Sequence, residues 1–115
     1  MGETGEIHFE YDRAETSVGP ALHVRIAIEG GITTPEQYAR AVERLALPQE
    51  EAGLGVVFDG PSPIWGYAML CHIAHPFAWV ATWDPRIAGA VVVQSHWPGV
   101  SAGQIIQLNK EEEEG

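Results

Sequence analysis

The sequence has a single cysteine and no long apolar run. Cys71 is alone among 115 residues, which excludes an internal disulfide and a zinc site built from several cysteines. No apolar segment is long enough to span a membrane, and the N-terminus lacks the basic-then-apolar pattern of a secretory signal. We therefore expect one cytoplasmic globular domain, and the chain is long enough to bury a core without staples.

Basic residues are also scarce. The chain has 6 Lys and Arg against 16 Asp and Glu, a formal net charge of -10. A general nucleic-acid binder would carry a basic patch, so this charge argues against that class. Four of the acidic residues are the consecutive Glu111 to Glu114. We predict a single domain over residues 1–108 and a flexible acidic tail over residues 109–115.

The few charges of the second half are the informative ones. From Gly60 to Asn109 the only formally charged residues are Asp84 and Arg86, and the same stretch holds all four tryptophans. Such a segment is predicted to be largely buried or interfacial. Two charged residues in such a segment therefore suggest a specific role for Asp84 and Arg86.

Hydrophobic periodicity predicts the element order β-β-α-β-α-β-β-β. The first helix is expected to begin at the capping box Thr34–Gln37 and to end before Pro48. The loop between the first two strands should contain Gly19–Pro20. The predicted strands run over about Ile7–Tyr11, Leu22–Ile28, Gly55–Phe58, Ala78–Trp83, Gly89–Gln94 and Ile105–Leu108.

The second helix is predicted from an N-terminal signal and a long apolar segment. Ser62 should cap it, Pro63 should open it, and it should run to about His75 before Pro76. Because it is apolar nearly all round, we expect it to be buried. The fold class is therefore α/β, a small mixed sheet with two main helices and a central right-handed β-α-β unit.

The predicted crossover places candidate site residues at two edges of the sheet. Parallel strands ending near Phe58 and Trp83 bring the Gly60–Pro63 loop and Asp84–Arg86 to one carboxyl edge, where open α/β sheets bind ligands. A helix N-terminus and an arginine would suit a phosphate there. His75 and His96 should return to the opposite edge, roughly 20 Å away at about 3.3 Å per residue.

Each candidate also has an ordinary structural explanation. Asp84 could simply begin a turn, with Arg86 as its surface partner. His75 could only cap helix carbonyls, and His96 could be an ordinary residue at a strand end.

Other notable side chains are predicted to be structural. His72 and Cys71 are expected in the core, and His8 and His23 should alternate outward on their strands and be exposed. The tryptophans are expected to be core or interface residues more often than platforms for stacking bases.

Four segments together are more specific than any one motif. The sequence carries Gly-Pro-Ser-Pro-Ile-Trp from Gly60, Leu-Cys-His-Ile-Ala-His-Pro from Leu70, Trp-Val-Ala-Thr-Trp-Asp-Pro-Arg from Trp79 and Ala-Val-Val-Val-Gln-Ser-His from Ala90. In this order they resemble the small manganese-dependent CRISPR-associated ring nucleases of type III systems, first described as RNA deadenylases. The resemblance covers roughly Gly55 to Leu108, and the first half agrees only in its coarse pattern of strands and helix.

The resemblance implies a function and a site. It implies a fold related to the CRISPR-associated Rossmann domains, and hydrolysis of the second messenger cyclic tetra-adenylate to switch off defence signalling. Linear poly-adenylate RNA ends are a further candidate substrate. It implies a homodimer that stacks to a tetramer or filament on its substrate, with Mn²⁺ as cofactor and no membrane partner.

The residues that the resemblance implies fall into three overlapping sets. The catalytic set is His75, Asp84, Arg86 and His96. The metal ligands would be His75, Asp84 and His96. The residues that bind the substrate would be Gly60, Ser62, Pro63, Trp65 and Arg86. The alternative is a sensor that binds a cyclic oligoadenylate without cutting it, and a third hypothesis is a structural module whose apolar half is an oligomer interface.

Overall fold

A computed structural model describes residues 5–109 of the chain. These residues form a mixed α/β domain with one six-stranded sheet and two α-helices, as predicted. In chain order the elements are β1 (Ile7–Thr16), β2 (Gly19–Ile28), α1 (Pro35–Arg44), β3 (Gly55–Asp59), α2 (Ile64–Ile73), β4 (Trp79–Asp84), β5 (Gly89–Ser95) and β6 (Ile105–Ile106).

The strands lie in the sheet in the order in which they occur in the chain. β2, β3 and β4 are parallel neighbours, and the β1–β2, β4–β5 and β5–β6 pairs are antiparallel. α1 therefore connects two parallel strands, and α2 connects the next two. The right-handed crossover and the relation to the CRISPR-associated Rossmann domains stay predictions.

The first hairpin is longer than its alternation pattern predicted. Its turn lies at Ser17 and Val18 rather than at Gly19–Pro20, and β2 begins at Gly19. Proline is tolerated there because the parallel pairing with β3 begins only at Ala21. The hairpin end is also joined to the last described residue, since the Asn109 amide donates to the Glu15 carbonyl oxygen at 2.8 Å. The rest of the predicted tail lies outside the described residues.

The sheet buries a core on each face. Both helices cover one face, where Tyr38, Phe58, Leu70 and Phe77 are fully buried. The second core lies on the other face and contains Val57, Trp79, Ala81, Val92, Val100 and Ile106. Trp79 is therefore a core residue, in line with the structural expectation for the tryptophans. Neither helix of residues 5–109 is long and apolar enough to cross a membrane.

Three predictions about α2 need correction. The helix ends at Ile73, two residues before the predicted end. Pro63 is its N-cap, so Ser62 lies one residue before the cap and does not act as one. The helix is also only half buried, because it packs against α1 and the sheet on one side. Ile64 is 85% exposed, and His72, expected in the core, is exposed as well.

Candidate functional site

A cleft of about 540 Å³ lies at the carboxyl edge of the parallel strands. β3 and β4 are parallel and in register, so they both end at this edge. The cleft is formed by the loop after β3, the end of β4 and one side chain from α2. It is lined by Asp59, Gly60, Pro61, Ser62, Tyr67, Thr82, Trp83, Asp84, Pro85, Arg86 and Val91. The structure therefore brings four of the predicted site residues together, namely Gly60, Ser62, Asp84 and Arg86.

Asp84 and Arg86 form a bidentate ion pair in this cleft. The Arg86 Nε and Nη2 groups donate to the two carboxylate oxygens at 3.1 and 2.8 Å, and the Arg86 amide also donates to Oδ1 at 3.0 Å. These bonds from Arg86 hold the pKa of Asp84 below its ordinary value and raise that of Arg86. The pair is what the structural alternative predicts, and its place in a cleft is what the functional hypothesis predicts.

The exposure of the two partners differs. The Asp84 side chain is 25% exposed, whereas that of Arg86 is 86% exposed. The guanidinium therefore faces solvent and can reach an incoming anion, and the carboxylate holds it in place. The turn that carries them includes Ala88, whose φ of 51° is unusual for a residue with a Cβ.

The loop after β3 approaches its neighbours very closely. Gly60 has a φ of +135°, and a Cβ at this position would lie 2.4 Å from the Ile26 carbonyl oxygen. The Tyr67 hydroxyl donates to the Gly60 carbonyl oxygen and ties α2 to the loop. Burial, followed by the charge of Asp59, raises the pKa of Tyr67 to about 12, so the hydroxyl keeps its proton. The loop is therefore held from both sides.

The predicted residues beyond Gly60 do not all face the cleft. The Ser62 Oγ lies 2.8 Å from the Tyr38 hydroxyl and lines the cleft. Pro63 instead lines a neighbouring hollow. The Trp65 ring packs edge-on against Tyr38 at 5.7 Å between ring centroids and joins the core. In a single chain Trp65 does not line this cleft, and its role in binding substrate stays a prediction. A side chain at Gly66 would collide with Ser62 and Tyr38, which explains the glycine there.

Sequence reasoning missed a second acidic group at the cleft. Asp59 ends β3, and its Oδ2 lies 2.8 Å from the Nε2 of His23 on β2. His23 was expected to be exposed, but its side chain is only 13% exposed because it packs beside Asp59. Register would have revealed the pair: β2 and β3 are parallel with His23 opposite Val57, so His23 and Asp59 share a face of the sheet.

The two remaining candidates meet at the opposite edge. His75 precedes β4 and His96 follows β5, and their rings lie edge to face with centroids 4.9 Å apart. His96 Nε2 lies 2.9 Å from the His75 carbonyl oxygen. A carbonyl can only accept, so Nε2 carries the proton and the Nδ1 of a neutral His96 is left as an acceptor. The Gln94 Nε2 group donates to the same His75 carbonyl oxygen at 3.2 Å.

The three predicted metal ligands do not meet within one chain. β4 has six residues, about 17 Å at about 3.3 Å per residue, and separates Asp84 from the two histidines. Two imidazoles alone leave a divalent ion without a carboxylate ligand. Among residues 5–109, three side chains that could together hold a metal ion lie outside the cleft and the histidine edge. They are the exposed Glu6, His8 and Glu29.

Comparisons with known proteins identify a family for most of the described residues. Residues 32–107 match a family described as CRISPR-associated protein (Cas_csx3). An uncharacterized protein of Aquifex aeolicus (strain VF5) is 37% identical over 73 residues, which are 64% of this chain and 66% of that protein. The family match includes the cleft, the Asp84–Arg86 pair and both histidines.

Proposed function

This chain belongs to the CRISPR-associated protein family Cas_csx3, and on that premise we propose that it is a ring nuclease. Its substrate is cyclic tetra-adenylate, and the reaction hydrolyses the phosphodiester bonds of the ring to short linear products. Hydrolysis gives the hydroxyl of water to phosphorus and a proton to the ribose oxygen that leaves. The cleavage removes the second messenger and so switches off type III CRISPR defence signalling.

The observation that carries this proposal is the division of the candidate groups between two edges. Arg86 and Asp84 line a concave cleft, and His75 and His96 form an exposed pair at the far end of β4 and β5. Reacting groups must lie within a few ångströms of the same atom. One chain cannot meet that condition across about 17 Å. We infer a composite site in which the histidine edge of one copy faces the cleft of another.

The ligand and the assembly suit each other. A cyclic tetranucleotide has four equivalent phosphates, and a symmetric homodimer presents two equivalent clefts to them. Dimers that stack edge to edge around the ring then supply the histidines, giving a tetramer or a filament. In such an assembly the exposed Arg86 guanidinium binds a phosphate, and Asp84 orients that guanidinium through its two bonds.

The histidine pair is suited to proton transfer. With Nε2 donating to the His75 carbonyl oxygen, the His96 ring has a fixed orientation and a second nitrogen turned to other partners. The two rings are exposed, so a phosphate held by another copy could reach them. In the proposed reaction the pair moves the proton between the attacking water and the leaving oxygen.

In the proposed site, a manganese ion would be bound jointly by residues of two copies. The two imidazoles of one copy and the Asp84 carboxylate of another are a suitable donor set. Asp84 Oδ1 accepts two hydrogen bonds from Arg86 and Oδ2 accepts one, so Oδ2 keeps a further lone pair for the ion. When bound, a divalent ion supplies positive charge to the scissile phosphate, which a protein of net charge -10 otherwise lacks.

The sensor hypothesis remains the main alternative. A protein that only binds the ring needs the cleft and Arg86, but has no use for a histidine pair at the other edge. The structural-module hypothesis leaves the cleft and its ion pair without a purpose. The paired histidines therefore favour the enzyme.

Incubation with radiolabelled cyclic tetra-adenylate, with and without manganese, tests the activity. We expect linear products that accumulate only with the metal. A ring that survives prolonged incubation with excess enzyme and manganese would overturn the enzyme and favour the sensor. Poly-adenylate RNA in parallel reactions shows whether linear ends are also substrates.

A mixing experiment tests the composite site. His75→Ala and Asp84→Ala chains should each be inactive, yet a mixture should recover part of the activity, because the cleft of the first can face the histidines of the second. The rate of the wild-type protein should also rise more steeply than linearly with its concentration. A mixture that stays inactive at all ratios, while both variants form normal dimers, would rule out cooperation between the edges.

A further inference from the structure

Asp59 and His23 form a partly buried pair that the proposed reaction does not use. Asp59 is the last residue of β3 and lines the cleft. Its Oδ2 lies 2.8 Å from His23 Nε2, and the two side chains are only 25% and 13% exposed. The pair therefore stands at the wall of the cleft and not in open solvent.

A carboxylate in a cleft for a polyanion is at first sight unfavourable. Asp59 repels phosphate, so its ligands must be groups that donate hydrogen bonds. His23 holds it at Oδ2, and a carboxylate held at one oxygen can still accept from a ligand at the other. The neighbouring Arg25 is bound to Asp12 on β1, at 3.3 and 3.4 Å, which leaves His23 as the partner of Asp59. Asp59 is therefore a fixed acceptor in the wall of the cleft.

The position of Asp59 matches one well-understood use of such a group. In dinucleotide-binding α/β folds, an Asp or Glu at the carboxyl edge of the parallel strands accepts from the ribose 2′-hydroxyl, and the pyrophosphate binds at a helix N-terminus of the same edge. Here the adjoining loop is Gly60 to Ser62, and Arg86 lines the same cleft. A cleft of about 540 Å³ is large enough for a nucleotide. When Arg86 binds a phosphate, the ribose attached to that phosphate would therefore lie in the same cleft as Asp59.

We propose that Asp59, positioned by His23, accepts a hydrogen bond from a ribose 2′-hydroxyl and makes the cleft select ribonucleotides over deoxyribonucleotides. The inference rests on the ring-nuclease proposal and adds the source of its sugar specificity. The 2′-hydroxyl is the group by which a protein distinguishes RNA from DNA at a given site. Asp59 is thus a residue that determines specificity, and His23 is a positioning residue.

Calorimetric titration with cyclic tetra-adenylate and with its all-2′-deoxy counterpart tests this role. All chains carry His75→Ala, so the ring is not cut during the titration. We expect this parent to bind the ribose ring at least about tenfold more tightly than the deoxyribose ring, since a hydrogen bond to a charged group is at stake. Asp59→Ala should lower the affinity for the ribose ring until the preference falls below about threefold.

Three further variants separate positioning from simple stabilisation. Asp59→Asn keeps an acceptor oxygen without the charge and should give an intermediate preference. His23→Gln retains a donor and should preserve most of it, whereas His23→Leu should lose it. Asp12→Ala breaks the other ion pair on this face and should leave the preference unchanged. A role in stability alone would lower the melting temperatures and leave the ratio of the two affinities intact.

The outcomes are distinct. If neither the parent nor the wild-type protein without manganese binds either ring, the ring-nuclease proposal fails and this inference fails with it. If the parent prefers the ribose ring and both folded Asp59 variants keep that preference, the inference alone is overturned. Circular dichroism confirms that each variant is folded.

Discussion

The two ends of the central strands differ in how they hold their polar groups. At the carboxyl end, Asp59 and Asp84 are each held by a basic side chain, and the groups line a concave cleft. At the other end, His75 and His96 lie exposed against each other and are held through a backbone carbonyl. The first end has the shape and charge to bind a ligand, and the second offers groups that exchange protons. In the proposed function, each end is half of a site.

The backbone differs between the two ends as well. The cleft depends on two positive φ values, +135° at Gly60 and 51° at Ala88. The histidines instead adjoin ordinary strand ends, β4 and β5. Strained backbone is retained where the surrounding structure fixes it, and it is common at ligand sites. Substitutions at Gly60 and Ala88 should therefore change the stability of the fold, whereas substitutions of the histidines should affect activity alone.

The largest effect is expected from removing one group at each end. Asp84→Ala and His75→Ala should each lower the rate of ring cleavage by about 10²-fold to 10⁴-fold, because Asp84 orients the guanidinium that binds the phosphate and His75 belongs to the pair that transfers the proton. Both residues lie at element ends, so the melting curve should change little. Radiolabelled ring assays give the rates.

His72→Ala is the matched control for the histidine edge. It removes another exposed histidine, three residues before His75 and on α2. Its rate should stay within about threefold of wild type. A wild-type rate in either Asp84→Ala or His75→Ala would remove that residue from the site and would mean that one end suffices.

The order of elements was predictable because each has a local signal. Alternating apolar residues gave the strands, and Thr34 capped α1 as predicted, accepting from the Gln37 amide. The parallel pairing of β3 with β4 then placed Asp84 and Arg86 beside the Gly60 loop, and His75 beside His96. Those placements need only the direction of the strands, which is why they were accessible from the sequence.

The wrong or missing predictions concern contacts between different helices and strands. His23 pairs with Asp59 only because β2 lies parallel to β3 in one register. Trp65 joins the core because its ring packs edge-on against Tyr38 of α1. The apolar α2 is half exposed because its outer side has no covering element in residues 5–109. Register and helix packing of this kind are set by long-range contacts, and the linear pattern of one segment does not contain them.

Gly60→Ala should break the cleft end selectively. The new methyl group would lie 2.4 Å from the Ile26 carbonyl oxygen on a backbone with a φ of +135°. We expect a loss of about 3 kcal/mol in the free energy of unfolding, the upper end for one strained position, together with loss of ring binding. Urea denaturation measures the first and calorimetry the second.

Gly99→Ala separates strain from collision. Its φ is +85°, and within the described residues a Cβ there would meet no atom within 4 Å. The expected loss is about 1 kcal/mol, from the left-handed conformation alone. Equal losses for the two variants would show that the Ile26 contact is relieved by a small shift of the loop.

Tyr67→Phe should have a smaller effect on the same end. It deletes the hydroxyl that donates to the Gly60 carbonyl oxygen, so we expect a loss of about 1 kcal/mol at pH 7. Burial raises the pKa of Tyr67 from 10.0 to about 12, so between these values the folded state keeps a proton that the unfolded state releases. This contribution is lost as pH rises through that window.

Urea denaturation at pH 8 and pH 11 checks the sign. The difference between wild type and Tyr67→Phe should shrink at the higher pH, because the phenylalanine chain has no proton to lose. Tyr11→Phe is the control, since the Tyr11 hydroxyl sits at an exposed site 3.5 Å from the Ala46 carbonyl oxygen. A difference that stays constant with pH would mean that Tyr67 titrates alike in both states.

The smallest effect concerns the turn that presents Arg86. Ala88 has a φ of 51°, a conformation that glycine adopts without the steric cost borne by a Cβ. Ala88→Gly removes that cost, and the greater freedom of glycine in the unfolded chain offsets part of the gain. We expect a net increase of about 0.5 kcal/mol in the free energy of unfolding, with a rate of ring cleavage within about twofold of wild type.

Ala90→Gly, at a buried position of β5, is the control and should instead lose about 1 kcal/mol. A loss of stability in Ala88→Gly would show that the methyl group contributes packing to the turn. A large fall in rate without a loss of stability would show that the strained turn itself holds Arg86 against Asp84, and would make its backbone part of the cleft end of the site.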